Sequence, residues 1–159
     1  MATGEAAAIA ASAALGFVAV DRLTGPLASF MLKRGVVGID VHKLDRPKVP
    51  DLCGISIIAG LASCLILLSA LMPNCLAKFA AIGLAAAVAS AIGLIDAARP
   101  LGAKLKAAVV AASCIPVLAL GAYVPRPDVP FLGKLRTHIL YPAAAIPFFT
   151  TALANGVNM

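Results

Sequence analysis

Charge is scarce in this sequence. Asp, Glu, Lys and Arg make up 13% of the 159 residues, about half the roughly 25% of an ordinary soluble domain. Tryptophan is absent and tyrosine occurs twice, so no aromatic belt marks depth in a bilayer. No Cys-x-x-Cys pair occurs among Cys53, Cys64, Cys75 and Cys114. A zinc site or disulfide framework therefore has no support in the spacing, and these cysteines read as small apolar side chains. Gly and Pro, 13 and 11 of them, follow no period, which excludes collagen-like and low-complexity chains. The basic residues are not interleaved with aromatics, so the net charge of +6 is no argument for nucleic-acid binding.

What the sequence does have is long runs without charge. They are Leu52 to Ala77, Phe79 to Ile95, Ala107 to Pro125 and Thr137 to Met159, with Ala6 to Val20 near the start and Leu23 to Leu32 after Asp21-Arg22. A hydrocarbon layer about 30 Å thick needs roughly 20 apolar residues in a helix. An open backbone has no hydrogen-bond partner there, and barrel strands would alternate polar and apolar. The mean hydropathy of +1.00 agrees. The expected fold is all-α, a polytopic membrane bundle forming a single membrane domain. Its helices are expected over about 5–31, 53–72, 77–96, 104–122 and 137–156.

A cleaved signal peptide is not expected, because Glu5 and no Lys or Arg precedes Arg22. Gly25-Pro26 is a candidate kink in the first helix. The small-residue stretch Ala80 to Ile92 reads as a helix–helix contact. Eight Lys and Arg residues fall in the loops around 32–51 and 96–106, against four in the opposite loops. The positive-inside rule then puts the first two loops, 32–52 and 97–103, in the cytoplasm and the N-terminus outside.

Three segments on that expected cytoplasmic side could carry chemistry. Gly35 to Gly54 is polar, with Asp40, Lys43, Asp45 and Asp51 among basic residues and two prolines that prevent a simple helix. It is either a solvated loop or a site for an anionic ligand. Asp96 ends an uncharged run and is followed by Arg99 and Lys104. It is either an interfacial residue or part of a metal-assisted phosphate site, since phosphoryl transfer needs cations and alignment more than covalent help. Asn155 and Asn158 lie three apart near the last residue and share one helical face; a helix cap is the simpler explanation.

Taken together, these segments resemble the polyprenyl-phosphate N-acetylhexosamine-1-phosphate transferase family. Gly16-Phe17-Val18-Ala19 through Gly38-Ile39-Asp40-Val41-His42-Lys43 resembles its first helix and first cytoplasmic loop. Val49-Pro50-Asp51-Leu52-Cys53-Gly54 resembles its proline–acid–x–x–glycine motif. Gly93-Leu94-Ile95-Asp96 resembles the start of its acidic motif, Lys104 takes the place of a basic residue opening the fourth helix, and Asn155 and Asn158 resemble its Asn-x-x-Asn motif. Two features depart from the pattern. Ala97 stands where the family has a second aspartate, and Met159 falls within the asparagine motif. The resemblance thus implies the first half of a roughly ten-helix fold.

The implied reaction moves a sugar-1-phosphate, chiefly N-acetylglucosamine-1-phosphate from UDP-N-acetylglucosamine, to a polyprenyl or dolichyl phosphate, giving a lipid-diphospho-sugar and UMP. The resemblance implies Mg2+ or Mn2+ as cofactor, with Asp96 and Asn158 at the metal. It implies Asp96 and Lys104 as catalytic residues. Asp40, Lys43, Pro50, Asp51, Gly54, Asn155 and Asn158 would serve substrate binding. The expected partners are the UDP-sugar, the lipid phosphate, the cell membrane and, as an open option, a second copy of the chain; nucleic acid is not expected. The half chain by itself is expected to be inactive. A truncated or degenerate non-catalytic member that binds a partner half or a lipid remains the alternative.

Overall fold

The computed structural model describes residues 3–40, 43–51, 53–124, 128–129, 133–134 and 140–156. The chain forms two compact units, residues 1–74 and 75–159. Among the described residues its regular elements are helices, apart from two short antiparallel hairpins. The expected all-α membrane fold is what is observed.

In the first unit, α1 runs from Thr3 to Arg34 and α2 from Gly54 to Leu71. The strands β1 (Val37–Ile39) and β2 (Lys48–Pro50) lie between them. At 1.5 Å per residue the 32-residue α1 is about 48 Å long, more than a bilayer core requires. Pro26 sits inside α1 without ending it. The helix stops at Gly35, whose φ of 73° suits a residue without Cβ. There the Gly35 amide donates to Leu32 O at 3.2 Å and the Val36 amide to Met31 O at 3.0 Å. Gly35 so turns the chain into β1, and Val37, Gly38 and Ile39 pair with Pro50, Val49 and Lys48. The segment expected as a loop over 32–52 is therefore helix end plus hairpin.

α1 and α2 pack through their smallest residues. A Cβ on Gly16 would stand 3.0 Å from Gly60 O, and one on Gly60 would stand 2.8 Å from Gly16 O and collide with Val20. Nearby, Thr24 Oγ1 lies 2.9 Å from Ser56 Oγ, and Ser56 donates to Cys53 O at 2.7 Å. Since Gly16 meets Gly60 and Thr24 meets Ser56, the helices are antiparallel. Ser12, Gly16, Ser56 and Gly60 are buried, whereas Phe17, Ile57 and Ile66 are 74%, 64% and 71% exposed. Small groups inside and large apolar groups outside invert the soluble pattern and suit a lipid surround, where close backbone contact drives helix association.

In the second unit, α3 spans Leu76–Ala98, α4 Ala103–Ala112, α5 Ile115–Ala119 and α6 Leu140–Gly156. A two-residue hairpin, β3 (Asp128–Val129) with β4 (Gly133–Lys134), lies between α5 and α6. Ala81, Val110, Ser113, Cys114 and Pro142 are buried here. The single helix expected over 104–122 is corrected: it is two helices, parted at Ser113-Cys114. Pro116 explains the break, because it has no N–H to give the carbonyl four residues back and its ring crowds the preceding turn. The Ser113 hydroxyl turns to Val110 O instead, at 2.7 Å. Among the described residues three helical segments are long and apolar enough to cross a membrane: Thr3–Arg34, Gly54–Leu71 and Pro73–Ala97.

Candidate functional site

The polar residues singled out from the sequence fall at helix ends and on the first hairpin. Each unit presents its own group.

On the first hairpin, Asp40 directly follows β1. Its amide donates to Pro47 O at 3.1 Å, and Lys43 Nζ lies 3.8 Å from Asp40 Oδ2. This pair sits at the turn end of the ladder. Pro50 ends β2 opposite Val37, and the Asp51 amide closes the base of the hairpin on Val36 O at 3.2 Å. Gly54 opens α2 and is exposed, with nothing within 4 Å of an added Cβ. The structure thus gathers Asp40 with Lys43 at one end of the ladder, and Pro50, Asp51 and Gly54 at the other. A three-residue strand rises about 10 Å, so the five residues form two clusters rather than one. The Asp40–Lys43 pair, with the lysine 65% exposed, is a loose solvated contact.

In the second unit, Asp96 lies in the last turn of α3. The chain then turns through Arg99, Pro100, Leu101 and Gly102 into α4. One carboxylate oxygen, Oδ1, accepts the Leu101 amide at 2.8 Å. The other, Oδ2, is 2.7 Å from Lys106 Nζ. The two side chains, Lys106 and Asp96, are 27% and 22% exposed, so the pair is partly shielded but open to one side. A turn with Pro at its centre, followed by a helix whose first turn bears the lysine, brings the groups together from ten residues apart. The carboxylate in turn fixes the α3–α4 corner, receiving a backbone donor that the turn would otherwise leave open.

Lys104, the expected catalytic cation, is exposed in the first turn of α4. Positions two apart on a helix point about 200° away from one another, so Lys104 and Lys106 do not share Asp96. Lys106 is the residue that the sequence reading missed. Both lysines stood at the same helix start, and only the turn geometry selects between them. Ala97, also exposed, supplies no second carboxylate beside Asp96. Asn155 lies in the last turn of α6, and Asn158 falls outside the described residues.

A divalent cation does not fit the described residues of this chain by themselves. No group of three His, Cys, Asp or Glu side chains that could hold one occurs among them, and an ammonium already stands against Asp96. What the corner offers is positive charge. Among the described residues Arg99 and Lys104 are exposed and make no ion pair, beside an Asp96–Lys106 pair that is neutral as a unit. That arrangement suits a phosphate better than a bare metal.

No protein-family model matches the chain. Two archaeal proteins are similar to it, and both carry the name "Putative UDP-N-acetylglucosamine--dolichyl-phosphate N-acetylglucosaminephosphotransferase". The protein of Sulfolobus acidocaldarius is 30% identical over 152 residues, which is 93% of this chain and 46% of the relative. The protein of Saccharolobus solfataricus is 30% identical over 129 residues, 80% of this chain and 39% of the relative. The chain thus spans about half the length of the curated relatives it matches. With the order of its motifs, this similarity identifies the chain as a partial member of the polyprenyl-phosphate N-acetylhexosamine-1-phosphate transferase family.

Proposed function

We propose that this chain is one half of a membrane transferase that moves N-acetylglucosamine-1-phosphate from UDP-N-acetylglucosamine to a dolichyl or other polyprenyl phosphate. The observation that carries the reading is the similarity to two like-named relatives over nearly the whole chain. In the reaction an oxygen of the lipid phosphate attacks the sugar-bearing phosphorus of the nucleotide sugar. The phosphorus–oxygen bond to UMP breaks, and UMP leaves with the bonding pair. Both reactants are anions, so their approach requires cations at the membrane face.

In this chain Arg99 and Lys104 would offset phosphate charge, and Lys106, held by Asp96, would keep a fixed direction beside them. Pro50, Asp51 and Gly54 would shape part of the nucleotide pocket. Asp40 and Lys43 would order the hairpin. Magnesium or manganese would bind chiefly through carboxylates supplied by the rest of the full-length protein, where it would draw charge off the nucleotide diphosphate. We place this site at the cytoplasmic face, on the eight-to-four bias of Lys and Arg between the two sets of loops.

The test compares membranes containing this chain alone with membranes containing the chain joined to the missing half of its relatives. Both are incubated with labelled UDP-N-acetylglucosamine, polyprenyl phosphate and magnesium. Lipid-linked sugar is expected only with the joined protein. Product from neither would sink the transferase reading. The neutralised Asp96 and the alanine at position 97 favour a second reading, a non-catalytic member that binds lipid or a partner, and that outcome would support it.

A further inference from the structure

At the end of the first unit where α1 finishes and α2 begins, the two helices leave a groove of about 310 Å³. Leu23, Pro26, Leu27, Phe30, Ile55 and Ala59 line it. The one polar side chain in the lining, Ser56, is already engaged with Cys53 O and Thr24. Ser56 is two residues from the start of α2, while α1 continues past Thr24 for nearly three turns. Phe30 therefore extends along α1 beyond the first turn of α2. The Arg34 guanidinium stacks over the Phe30 ring, 5.2 Å from its centroid, and Lys33 shares that last turn.

We propose that this groove binds an anionic phospholipid. One hydrocarbon chain would lie along Leu23, Leu27, Phe30, Ile55 and Ala59, with the phosphate on Arg34. The order of chemistry along α1 is the reason. The walls are hydrocarbon, and the rim one turn further out carries two cations. A planar guanidinium makes paired hydrogen bonds to a phosphate, and the ring beneath it holds it at the rim. A soluble phosphate has nothing to place in the groove. A zwitterionic lipid fills the groove but brings its own cation to Arg34. This inference does not rest on the transferase reading, and its test contains no sugar nucleotide.

The absence of tryptophan makes the test direct. Phe30→Trp keeps an aromatic ring under Arg34 and puts the only indole at the groove. Phe17→Trp, at a position 74% exposed on the same helix, serves as the lipid-facing control. Each variant is reconstituted in phosphatidylcholine vesicles in which part of the lipid has brominated chains, carried either by phosphatidylglycerol or by phosphatidylcholine. In the Phe30→Trp protein the brominated phosphatidylglycerol should quench the indole about five-fold more effectively, the advantage one interfacial cation gives. In the Phe17→Trp protein the two lipids should quench alike. Adding Arg34→Gln to Phe30→Trp should remove the preference while leaving chain quenching in place. Equal quenching of Phe30→Trp by both lipids would overturn the proposal, as would a preference that survives Arg34→Gln. So would displacement of phosphatidylglycerol by trace polyprenyl phosphate, which would give the groove to the transferase substrate instead.

Discussion

Asp96 and Lys106 are the pair on which the candidate chemistry turns. At 2.7 Å the contact is a charge-assisted hydrogen bond, and the Leu101 amide completes the carboxylate's coordination. Replacing Asp96 with Asn keeps the shape and frees the ammonium. Within the proposed transferase, Asp96→Asn in the joined full-length protein should lower turnover by about 10²-fold, the loss typical of one preorganised electrostatic contact. Lys106→Met should cost a similar factor, and the double variant little more than either alone, because the two act as a unit. Turnover assays at matched protein level check this; independent, multiplying losses would show that the pair is not the working unit. Asp96 was legible in the sequence as a carboxylate closing an uncharged run. Its partner was not, because the choice between Lys104 and Lys106 depends on how far the Pro100 turn winds α4.

Among the elements, the α1–α2 crossing depends on two glycines. The backbone approaches so closely at Gly16 and Gly60 that a methyl group on Gly60 meets Gly16 O at 2.8 Å, a backbone atom that yields only if the helices part. Gly60→Ala should therefore destabilise the first unit by about 1–3 kcal/mol, the usual cost of overpacking. Gly4→Ala, with nothing within 4 Å of the new Cβ, should be neutral. Detergent-titration unfolding of both variants measures the difference. A second prediction concerns the break in the second unit. Pro116→Ala restores the missing donor, so α4 and α5 should join, and amide exchange at position 116 and its neighbours should slow. The sequence carried both features unevenly. The small-residue stretch Ala80 to Ile92 drew attention by its length, yet the tight crossing uses Gly16 and Gly60, which stand among bulkier neighbours. Periodic small residues reveal a capacity for close packing, and only the partner helix decides which of them use it. Pro116 was readable as a breaker in principle, but the uncharged run from Ala107 to Pro125 argued for one span.

For the whole molecule, the membrane class was the most legible property, because it rests on summed composition. Scarce charge in clusters leaves no other way to bury so much apolar surface, and the exposed Phe17, Ile57, Ile66 and Phe148 are its consequence. The candidate residues were less legible: they fall in two separate polar groups, one in each unit, and the chain is about half the length of its relatives. The proposed orientation, by contrast, comes from a count of Lys and Arg that requires no side-chain geometry, and it can be tested on one residue. Leu44, in the turn of the first hairpin, is fully exposed and stands among Lys43, Arg46 and Lys48. With Cys53, Cys64, Cys75 and Cys114 replaced by alanine, Leu44→Cys should resist a membrane-impermeant maleimide in intact cells and react once the membrane is opened. Thr3→Cys, at the first residue of α1, should show the reverse. Labelling of Leu44→Cys from outside would invert the topology. It would also move Lys43, Pro50 and Asp51 to the face opposite a cytoplasmic nucleotide sugar, and their proposed part in nucleotide binding would fail.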